Sequence, residues 1–169
     1  MTNQTSSAIR RLSTAELPVV LDIINAAANR YGGVIPTDCY HEPYMTPDEL
    51  KREMSAMEFY GWIEDGKMAG VAGFQPVADV TLIRHAYVLP EHQRKGIGTR
   101  LLDHLKNLTK TRRLLVGTWA AATWAVGFYQ KYGFELLPEK DELLARYWKI
   151  SPRQIETSVV LGIDIEQHR

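Results

Sequence analysis

No segment constrains the fold of this chain more than residues 88–99, which read VLPEHQRKGIGT. An apolar, alternating stretch ends at Pro90, a loop with basic residues follows, and Gly96 and Gly98 open a run with helical spacing. Because glycine has no Cβ, backbone N–H groups there can approach a ligand closely. The first turn of a helix leaves its N–H groups unpaired, and its dipole attracts anions. The segment predicts a strand, a phosphate-binding loop and a helix. The alternative is a glycine-containing turn between strand and helix that binds no ligand.

Two common phosphate-binding loops are excluded. No Lys-Ser/Thr pair follows a second glycine at the spacing of a Walker loop. Leu101 occupies the position of the third glycine in the dinucleotide-binding fingerprint. Any phosphate bound here is therefore bound by another kind of loop.

The periodicity of apolar residues predicts helices and strands in mixed order. Helical spacing covers residues 14–28, and Thr46-Pro47-Asp48-Glu49 is a capping box that opens a second helix ending near Met57. A spacing of two follows, with Asp65-Gly66 as a hairpin turn. The mixture indicates an α+β sheet with helices on its faces. The predicted strands cover residues 8–12, 59–64, 67–75, 78–89, 114–119, 134–137 and 157–163, and the further helices cover 96–108, 123–132, 139–147 and a short turn from Ser151.

Composition narrows the class of protein. The 169 residues include 20 Lys and Arg and 20 Asp and Glu, a balance that argues against a nucleic-acid binder. The single cysteine, Cys39, excludes an internal disulfide and a Cys-rich zinc site. No apolar run reaches the length of a bilayer span, and the first seven residues lack an apolar signal region. We expect one domain over residues 1–169, with residues 1–7 disordered, in the cytoplasm, without metal, nucleic-acid or membrane partners.

A second motif lies further along the chain, where residues 128–134 read FYQKYGF. Together with QRKGIG at residues 93–98, it resembles the GCN5-related N-acetyltransferase (GNAT) family. The first stretch matches that family's acyl-CoA-binding motif, Q/R-x-x-G-x-G/A. The second is similar to its helix bearing Phe-Tyr, followed by Gly-Phe at the opening of the next strand. The two motifs stand at the family's usual separation, and the order of predicted elements agrees over nearly the whole chain.

The resemblance implies a fold and a cosubstrate. The fold is a mixed, mostly antiparallel central sheet flanked by helices, in which two parallel strands, residues 78–89 and 114–119, splay apart to admit acetyl-CoA. Tyr129 would be the general acid that protonates the departing thiolate; the alternative is a core aromatic beside Phe128. The residues implied to hold the cosubstrate are Ala86, Tyr87 and Val88 along the pantetheine arm, with the Val88 N–H aimed at the thioester carbonyl, and Gln93, Arg94, Lys95, Gly96, Ile97, Gly98 and Thr99 around the pyrophosphate.

The sequence departs from the family pattern at three positions. Ala122 stands where members often carry an Asn that contacts the cofactor arm. Leu82 and Gly117 stand at two common positions of the general base. A dedicated base therefore has to come from elsewhere.

His85 is the nearest titratable candidate for the base, because an unperturbed imidazole titrates near ~6.5. In a regular strand His85 shares a face with Tyr87 and lies opposite Arg84, and a bulge would change this parity. A structural role for His85, a base at Tyr87 or Glu42, and a chain of water molecules are the alternatives.

The loop between the first two predicted helices is the candidate acceptor wall. Residues 31–50 contain no Lys or Arg, and two of their carboxylates, Asp38 and Glu42, are not explained by a helix start. In the family this loop borders the acceptor site, and an acidic, aromatic loop suits a cationic amine; a solvated loop is the alternative. Trp119, which ends a strand beside the site, is either a packing residue or part of the acceptor pocket.

We therefore expect an N-acetyltransferase that transfers an acetyl group from acetyl-CoA directly to a primary amine of a small molecule or peptide, through a ternary complex. The alternative is a CoA-binding sensor or regulatory module that has lost catalysis. The absence of a titratable side chain at the two common base positions, Leu82 and Gly117, favours the sensor. Tyr129 argues against it, because the general acid implied by the resemblance is present. The acceptor, the length of the acyl group, the general base and the oligomeric state, a homodimer included, stay open.

Overall fold

The computed structural model describes residues 6–166, which form a mixed sheet with helices on both faces. Within that part of the chain the strands are β1 (Ser7–Arg11), β2 (Glu58–Glu64), β3 (Lys67–Val77), β4 (Val80–Val88), β5 (Arg113–Trp119), β6 (Glu135–Leu136) and β7 (Ser158–Asp164). The helices are α1 (Leu17–Ala28), α2 (Pro47–Ala56), α3 (Ile97–Leu108), α4 (Thr123–Tyr132), α5 (Lys140–Tyr147) and α6 (Pro152–Thr157). The strands lie in the order β1-β2-β3-β4-β5-β7-β6.

Several element boundaries follow from local signals. The Thr46 side chain accepts a hydrogen bond of 3.2 Å from the Glu49 N–H, as expected for the N-cap of α2. Asp65 and Gly66 have φ values of 50° and 80°, the pair of positive values that a tight two-residue hairpin turn needs. Gly133, with φ 123°, ends α4. The predicted N-cap at Thr46 and the hairpin are confirmed; the Glu49 carboxylate accepts from the Thr46 hydroxyl at 3.1 Å, so the structure shows the Thr46 half of the predicted capping box.

β4 and β5 run parallel and then part. Their ladder starts at Val80 and ends at Ile83, which pairs with Val116. β4 nevertheless continues to Val88 and β5 to Trp119. The other neighbouring strands of the described sheet pair antiparallel. The predicted α+β fold, a mostly antiparallel sheet in which two parallel strands splay apart, is confirmed.

A bulge interrupts the ladder between β3 and β4. Val71 pairs with Tyr87 and Gly73 pairs with Arg84, so that two residues of β4 lie opposite one residue of β3. His85, inside the bulge, has a φ of 51°. Gly73 suits this position, because a Cβ there would stand 2.8 Å from the carbonyl oxygen of Arg84.

The bulge places Arg84 and His85 on the same side of the sheet. Both side chains lie 3.7 Å from Oε1 of Glu53 on α2. Ala86 instead packs against the apolar cluster beneath α3. The alternation of a regular strand is therefore wrong for Arg84, which joins His85 rather than lying opposite it.

The sheet separates two apolar layers. α3 and α4 cover one face, and α1, α2 and α5 cover the other. Fully or nearly fully buried residues of the first layer include Ile83, Leu102, Leu105 and Leu114, and those of the second include Val20, Ile24, Leu50, Val71, Leu82 and Leu144.

Two expectations differ in detail from the structure. Residues 14–16 form a separate 3-10 turn before α1, capped by Ser13, whose N–H donates to the Glu16 carboxylate at 2.8 Å. Of the residues expected to be disordered, 1–5 lie outside the described residues, whereas Ser7 pairs with Glu64 in the sheet, so the expectation is wrong for Ser7. Among residues 6–166, no helix combines the length and apolarity needed to traverse a bilayer.

Candidate active site

The loop after β4 and the first turn of α3 form the predicted phosphate site. Gly96 is the N-cap of α3 with φ 81°, and a Cβ added there would meet no atom within 4 Å. Arg94 also has a left-handed φ, of 68°. The Gln93 side chain donates a hydrogen bond of 3.2 Å to the Val88 carbonyl and so ties the loop to the end of β4. Because the first N–H groups of a helix have no partner within it, this turn can bind an anion.

A cavity of about 610 Å³ extends from this turn along β4. Its walls are the end of β4, the loop, α3, α4 and the end of α1. Of the residues predicted to hold the cosubstrate, Lys95 is not among those that line it. The others do line it: Ala86, Tyr87, Val88, Gln93, Arg94, Gly96, Ile97, Gly98 and Thr99.

Several residues that line this cavity are not among the site residues predicted from the sequence. Arg30, in the turn after α1, places its guanidinium carbon 4.1 Å from the ring centroid of Trp124, a cation–π contact. Trp124, Phe128 and Lys131 line the cavity from α4 at four- and three-residue spacing. That spacing is the signal that could have identified them, because it defines one face of a helix. With Arg94, these residues give the cavity three cationic side chains, which fit a ligand with several phosphate charges.

The N–H of Val88 points into the gap between β4 and β5. The next N–H along the strand, that of Leu89, donates to the Ala69 carbonyl of β3 at 2.8 Å. Because successive N–H groups of a strand point to opposite sides, the N–H of Val88 points away from β3. β5 has already parted from β4 at this level, so this N–H faces the larger cavity, which Val88 lines.

Tyr129 lies on α4 at the inner wall of the same cavity. Its side chain is only 6% exposed and packs edge-on against Phe128 and Phe134. Burial, with a smaller contribution from Tyr31, raises the pKa of Tyr129 well above its ordinary value. The phenol therefore keeps its proton at neutral pH and can donate it.

A second, smaller cavity of about 150 Å³ lies on the other side of the splayed strands. Tyr31 and Tyr87 line both cavities. Its other walls come from the loop before α2, β4, β5, α5 and the segment around α6. They include Tyr44, Arg84, His85, Gly117, Trp119, Trp148 and Gln154. Trp119, one of the predicted acceptor residues, therefore lies at this cavity.

Three tyrosines stand where the two cavities meet. The Tyr31 ring lies 5.2 Å from that of Tyr44 and 6.3 Å from that of Tyr87, centroid to centroid. Trp119 Nε1 donates a hydrogen bond of 2.8 Å to the Tyr44 hydroxyl. Burial is the largest cause that raises the pKa of each tyrosine, to about 12 for Tyr44. They are therefore neutral hydrogen-bonding groups at pH 7, and Tyr87 is not placed to act as a base there.

His85 lines the smaller cavity and contacts α2. Its ring stacks on Phe59 at 6.0 Å, and its Nε2 lies 3.7 Å from Glu53 Oε1, too far for a hydrogen bond. The neighbouring His85 and Arg84 lower the pKa of Glu53, which is therefore ionised at neutral pH. At the two common base positions of the family, Leu82 is fully buried, and a Cβ at Gly117 would lie 3.4 Å from the Trp148 ring.

Asp38 and Glu42 lie outside both cavities in the part of the chain that the structure describes. Asp38 forms a two-pronged ion pair with Arg153 of α6, with distances of 2.8 Å and 3.1 Å. Glu42 accepts a hydrogen bond of 3.0 Å from the Tyr40 hydroxyl. The contact of these carboxylates with an acceptor stays a prediction, and their geometry gives it no support.

The chain belongs to a known family of acetyltransferases. The family model described as "Acetyltransferase (GNAT) family" matches residues 23–134, a range that contains the loop before α3 and the whole of α4. Within residues 6–166, no group of three or more His, Cys, Asp or Glu side chains is arranged to hold a metal ion.

Solved structures share this fold at low sequence identity. The N-acetyltransferase PaiA from Thermoplasma acidophilum, in complex with coenzyme A, has a TM-score of 0.73 at 18% identity, over 94% of this chain and 99% of that chain. The ribosomal-protein-S18-alanine N-acetyltransferase from Escherichia coli has a TM-score of 0.70 at 19% identity, over 97% of each chain. A GNAT family acetyltransferase from Elizabethkingia anophelis, with acetyl-CoA bound, has a TM-score of 0.65 at 22% identity, over 94% of this chain and 97% of that chain.

Proposed function

We propose that this protein is an acetyl-CoA-dependent N-acetyltransferase that transfers the acetyl group directly to a primary amine in a ternary complex. The observation that carries the proposal is the meeting of the two cavities at Tyr31 and Tyr87, where β4 and β5 part. A cosubstrate in the larger cavity and an amine in the smaller one can touch there. Cys39, the only cysteine of the chain, lines neither cavity, which favours direct transfer over a thiol-linked route.

Acetyl-CoA supplies the acetyl group as an activated thioester. The first turn of α3, with Arg94, Arg30 and Lys131, holds the phosphates by N–H groups and positive charge. The main chain of residues 86–88 follows the pantetheine arm, and the outward N–H of Val88 polarises the thioester carbonyl as an oxyanion-type contact. The buried phenol of Tyr129 retains the proton that the departing thiolate needs.

The amine must lose a proton before it can attack, because an alkyl amine titrates near ~10.4. His85 is the titratable side chain at the smaller cavity that can accept this proton, directly or through water. The three tyrosines at the junction are neutral, so they position the amine by hydrogen bonds rather than remove its proton.

A CoA-binding sensor without catalysis is the second candidate. Leu82 and Gly117 favour it, because neither common base position of the family offers a titratable group. Release of free thiol from acetyl-CoA, measured with a panel of primary amines, separates the two functions. We expect amine-dependent thiol release. Tight CoA binding without release for any amine would instead identify the sensor.

A further inference from the structure

The charge at the smaller cavity is opposite to that expected of a site for a simple cationic amine. In the described part of the chain, the lining residues with a basic side chain are Arg84 and His85, and none is Asp or Glu. Arg84, which pairs with Gly73 just before the bulge, and His85, inside the bulge, face this side together, so both basic side chains reach the cavity.

The guanidinium of Arg84 is held loosely. Its Nη1 donates to Gln75 Oε1 at 3.4 Å, and its Nη2 lies 3.7 Å from Glu53 Oε1. A guanidinium has five N–H donors in a planar fork, and these contacts engage two of its nitrogens at long range. The side chain is 19% exposed, so it is removed from bulk water without a close partner.

Glu53 on α2 is the acidic group that faces Arg84, and it also faces His85. The same Oε1 lies 3.7 Å from Arg84 and from His85. A carboxylate that binds a guanidinium by two parallel hydrogen bonds comes to about 2.7–2.9 Å. An incoming carboxylate can therefore approach Arg84 more closely than Glu53 does.

The remaining walls of the cavity set the size and character of the acceptor. Tyr44, Trp119 and Trp148 line it with aromatic surface. Its volume of about 150 Å³ matches that of an engineered cavity that takes up one benzene molecule, about 150 Å³. Only a small amine, or one small part of a larger one, fits such a space.

We propose that the acceptor is a small amino carboxylate, an amine that carries its own carboxylate, and that Arg84 binds this carboxylate. The inference rests on the proposed N-acetyltransferase function and names the acceptor class of the same site. Arg84 neutralises the carboxylate, the aromatic walls cover the apolar part, and the amine points to the junction at Tyr31 and Tyr87. A nearby guanidinium also disfavours the ammonium form and so assists the loss of the amine's proton.

The test compares amines that differ only in the carboxylate. L-Leucine, L-leucinamide and isoamylamine are assayed for thiol release from acetyl-CoA, as are L-phenylalanine, L-phenylalaninamide and phenethylamine. We expect kcat/KM to be at least about tenfold higher for an amino acid than for its amide or its decarboxylated amine, as is typical for a charge-assisted hydrogen bond. Equal or higher kcat/KM for the amides and decarboxylated amines overturns the proposal.

Variants connect the preference to Arg84. Arg84→Gln should raise the KM for the amino acid about tenfold to a hundredfold and leave the KM for the amide and for acetyl-CoA unchanged. Arg84→Lys should recover part of the loss, because it restores the charge without the planar fork. Arg112→Gln, which removes an exposed guanidinium just before β5 begins, far from Trp119, is the matched control and should change neither KM. An equal loss for amino acid and amide in Arg84→Gln contradicts carboxylate binding.

A binding measurement separates this inference from the proposed function. Calorimetry with the CoA-loaded protein compares N-acetyl-L-leucine with N-acetyl-L-leucinamide, and needs no turnover. Preferential binding of the carboxylate, lost in Arg84→Gln, supports the site even if no amine releases thiol; in that case the N-acetyltransferase function fails and the anion site stands. Equal binding of both compounds, or binding of neither, overturns the site itself.

Discussion

The hydroxyl of Tyr31 donates a hydrogen bond to that of Tyr87 across 3.4 Å, and the two rings form the wall shared by the two cavities. Tyr31 comes from the turn after α1, and Tyr87 from the part of β4 beyond the β4–β5 ladder. The wall therefore joins the helix layer to the strand that we propose contacts the cosubstrate. Changes on either side of this pair should affect one cavity more than the other.

Replacing Tyr129 by Phe should lower kcat and leave acetyl-CoA binding nearly unchanged. The ring still packs on Phe128 and Phe134, but the variant loses the protonated hydroxyl that we propose assists the leaving thiolate. General acid catalysis contributes about 10²–10⁴-fold. Steady-state kinetics and calorimetry with CoA measure the two effects.

The matched control is Tyr132→Phe, on the same helix. The Tyr132 hydroxyl donates to Asp103 at 2.6 Å, and the residue lines neither cavity in the described part of the chain. We expect wild-type kcat for this variant. If both variants lose kcat equally, Tyr129 acts through the packing of α4 and not as an acid.

Replacing Gly98 by Val should weaken CoA binding. A Cβ at Gly98 would come 3.1 Å from the Phe128 ring, so the larger side chain must displace Phe128 or enter the cavity that both residues line. Overpacking of this kind costs about 1–3 kcal/mol, and we expect Kd for CoA to rise about tenfold or more. Gly127→Val on α4 is the control, because a Cβ there would meet nothing within 4 Å. Unchanged CoA affinity in Gly98→Val, with the fold intact, would exclude the predicted phosphate site at the start of α3.

The parts of the protein that the sequence predicts well depend on neighbours along the chain. α4 has the same bounds as its prediction, because helical spacing starts at Thr123 and Gly133 ends it. Of the predicted phosphate-binding residues 93–99, all but Lys95 line the larger cavity, because the end of the strand, the loop and the start of the helix are contiguous in the chain. Such features need no knowledge of the rest of the fold.

The parts that the sequence did not predict depend on partners far along the chain. Arg84 and His85 share one side of the sheet because of the bulge in β4, and Gly73 of β3 fits there because a Cβ would collide with the backbone of Arg84. The charge of Asp38 is neutralised by Arg153, 115 residues away. Within residues 31–50 the acidic side chains have no Lys or Arg nearby in the sequence, which suggested that they face an acceptor. Ion pairs with distant residues such as Arg153 decide which charges reach the cavity.

Tyr44→Phe should destabilise the protein and change its response to alkali. The Trp119 N–H loses the hydroxyl that accepts its 2.8 Å hydrogen bond, and a polar group left unpaired in a buried site costs about 1–3 kcal/mol. The pKa of Tyr44 is raised to about 12 by burial, from ~10 in the unfolded chain, so its contribution is complete below pH ~10 and is lost as the pH rises toward 12.

Urea unfolding at pH 8 and pH 11 measures both effects. We expect the variant to be less stable at pH 8 and to lose less stability between the two pH values than the wild type. A difference between the two proteins that is the same at both pH values would contradict the raised pKa of Tyr44.

The double variant Asp38→Asn with Glu42→Gln should leave the KM for the amine acceptor unchanged within about twofold. Asp38 is paired with Arg153, Glu42 accepts from Tyr40, and any residual field from such exposed charges is screened by salt. Steady-state kinetics at low and high ionic strength measure the effect. A rise in KM for the amine at low salt, with KM for acetyl-CoA unchanged, would restore the acidic loop as an acceptor wall.

Glu53→Gln should reduce the sensitivity of the fold to acid. In the folded protein His85, and to a smaller extent Arg84, hold the pKa of Glu53 below its ordinary value of ~4.3. A lowered folded-state pKa stabilises the protein above the ordinary value, and the stabilisation is lost as the pH falls through the folded-state pKa. Urea unfolding at pH 7 and pH 3.5 should therefore show a smaller loss in the variant than in the wild type. Glu91→Gln, at an exposed residue of the loop before α3, is the control and should lose as much as the wild type. An equal loss in Glu53→Gln would mean that the carboxylate gains nothing from His85 and Arg84.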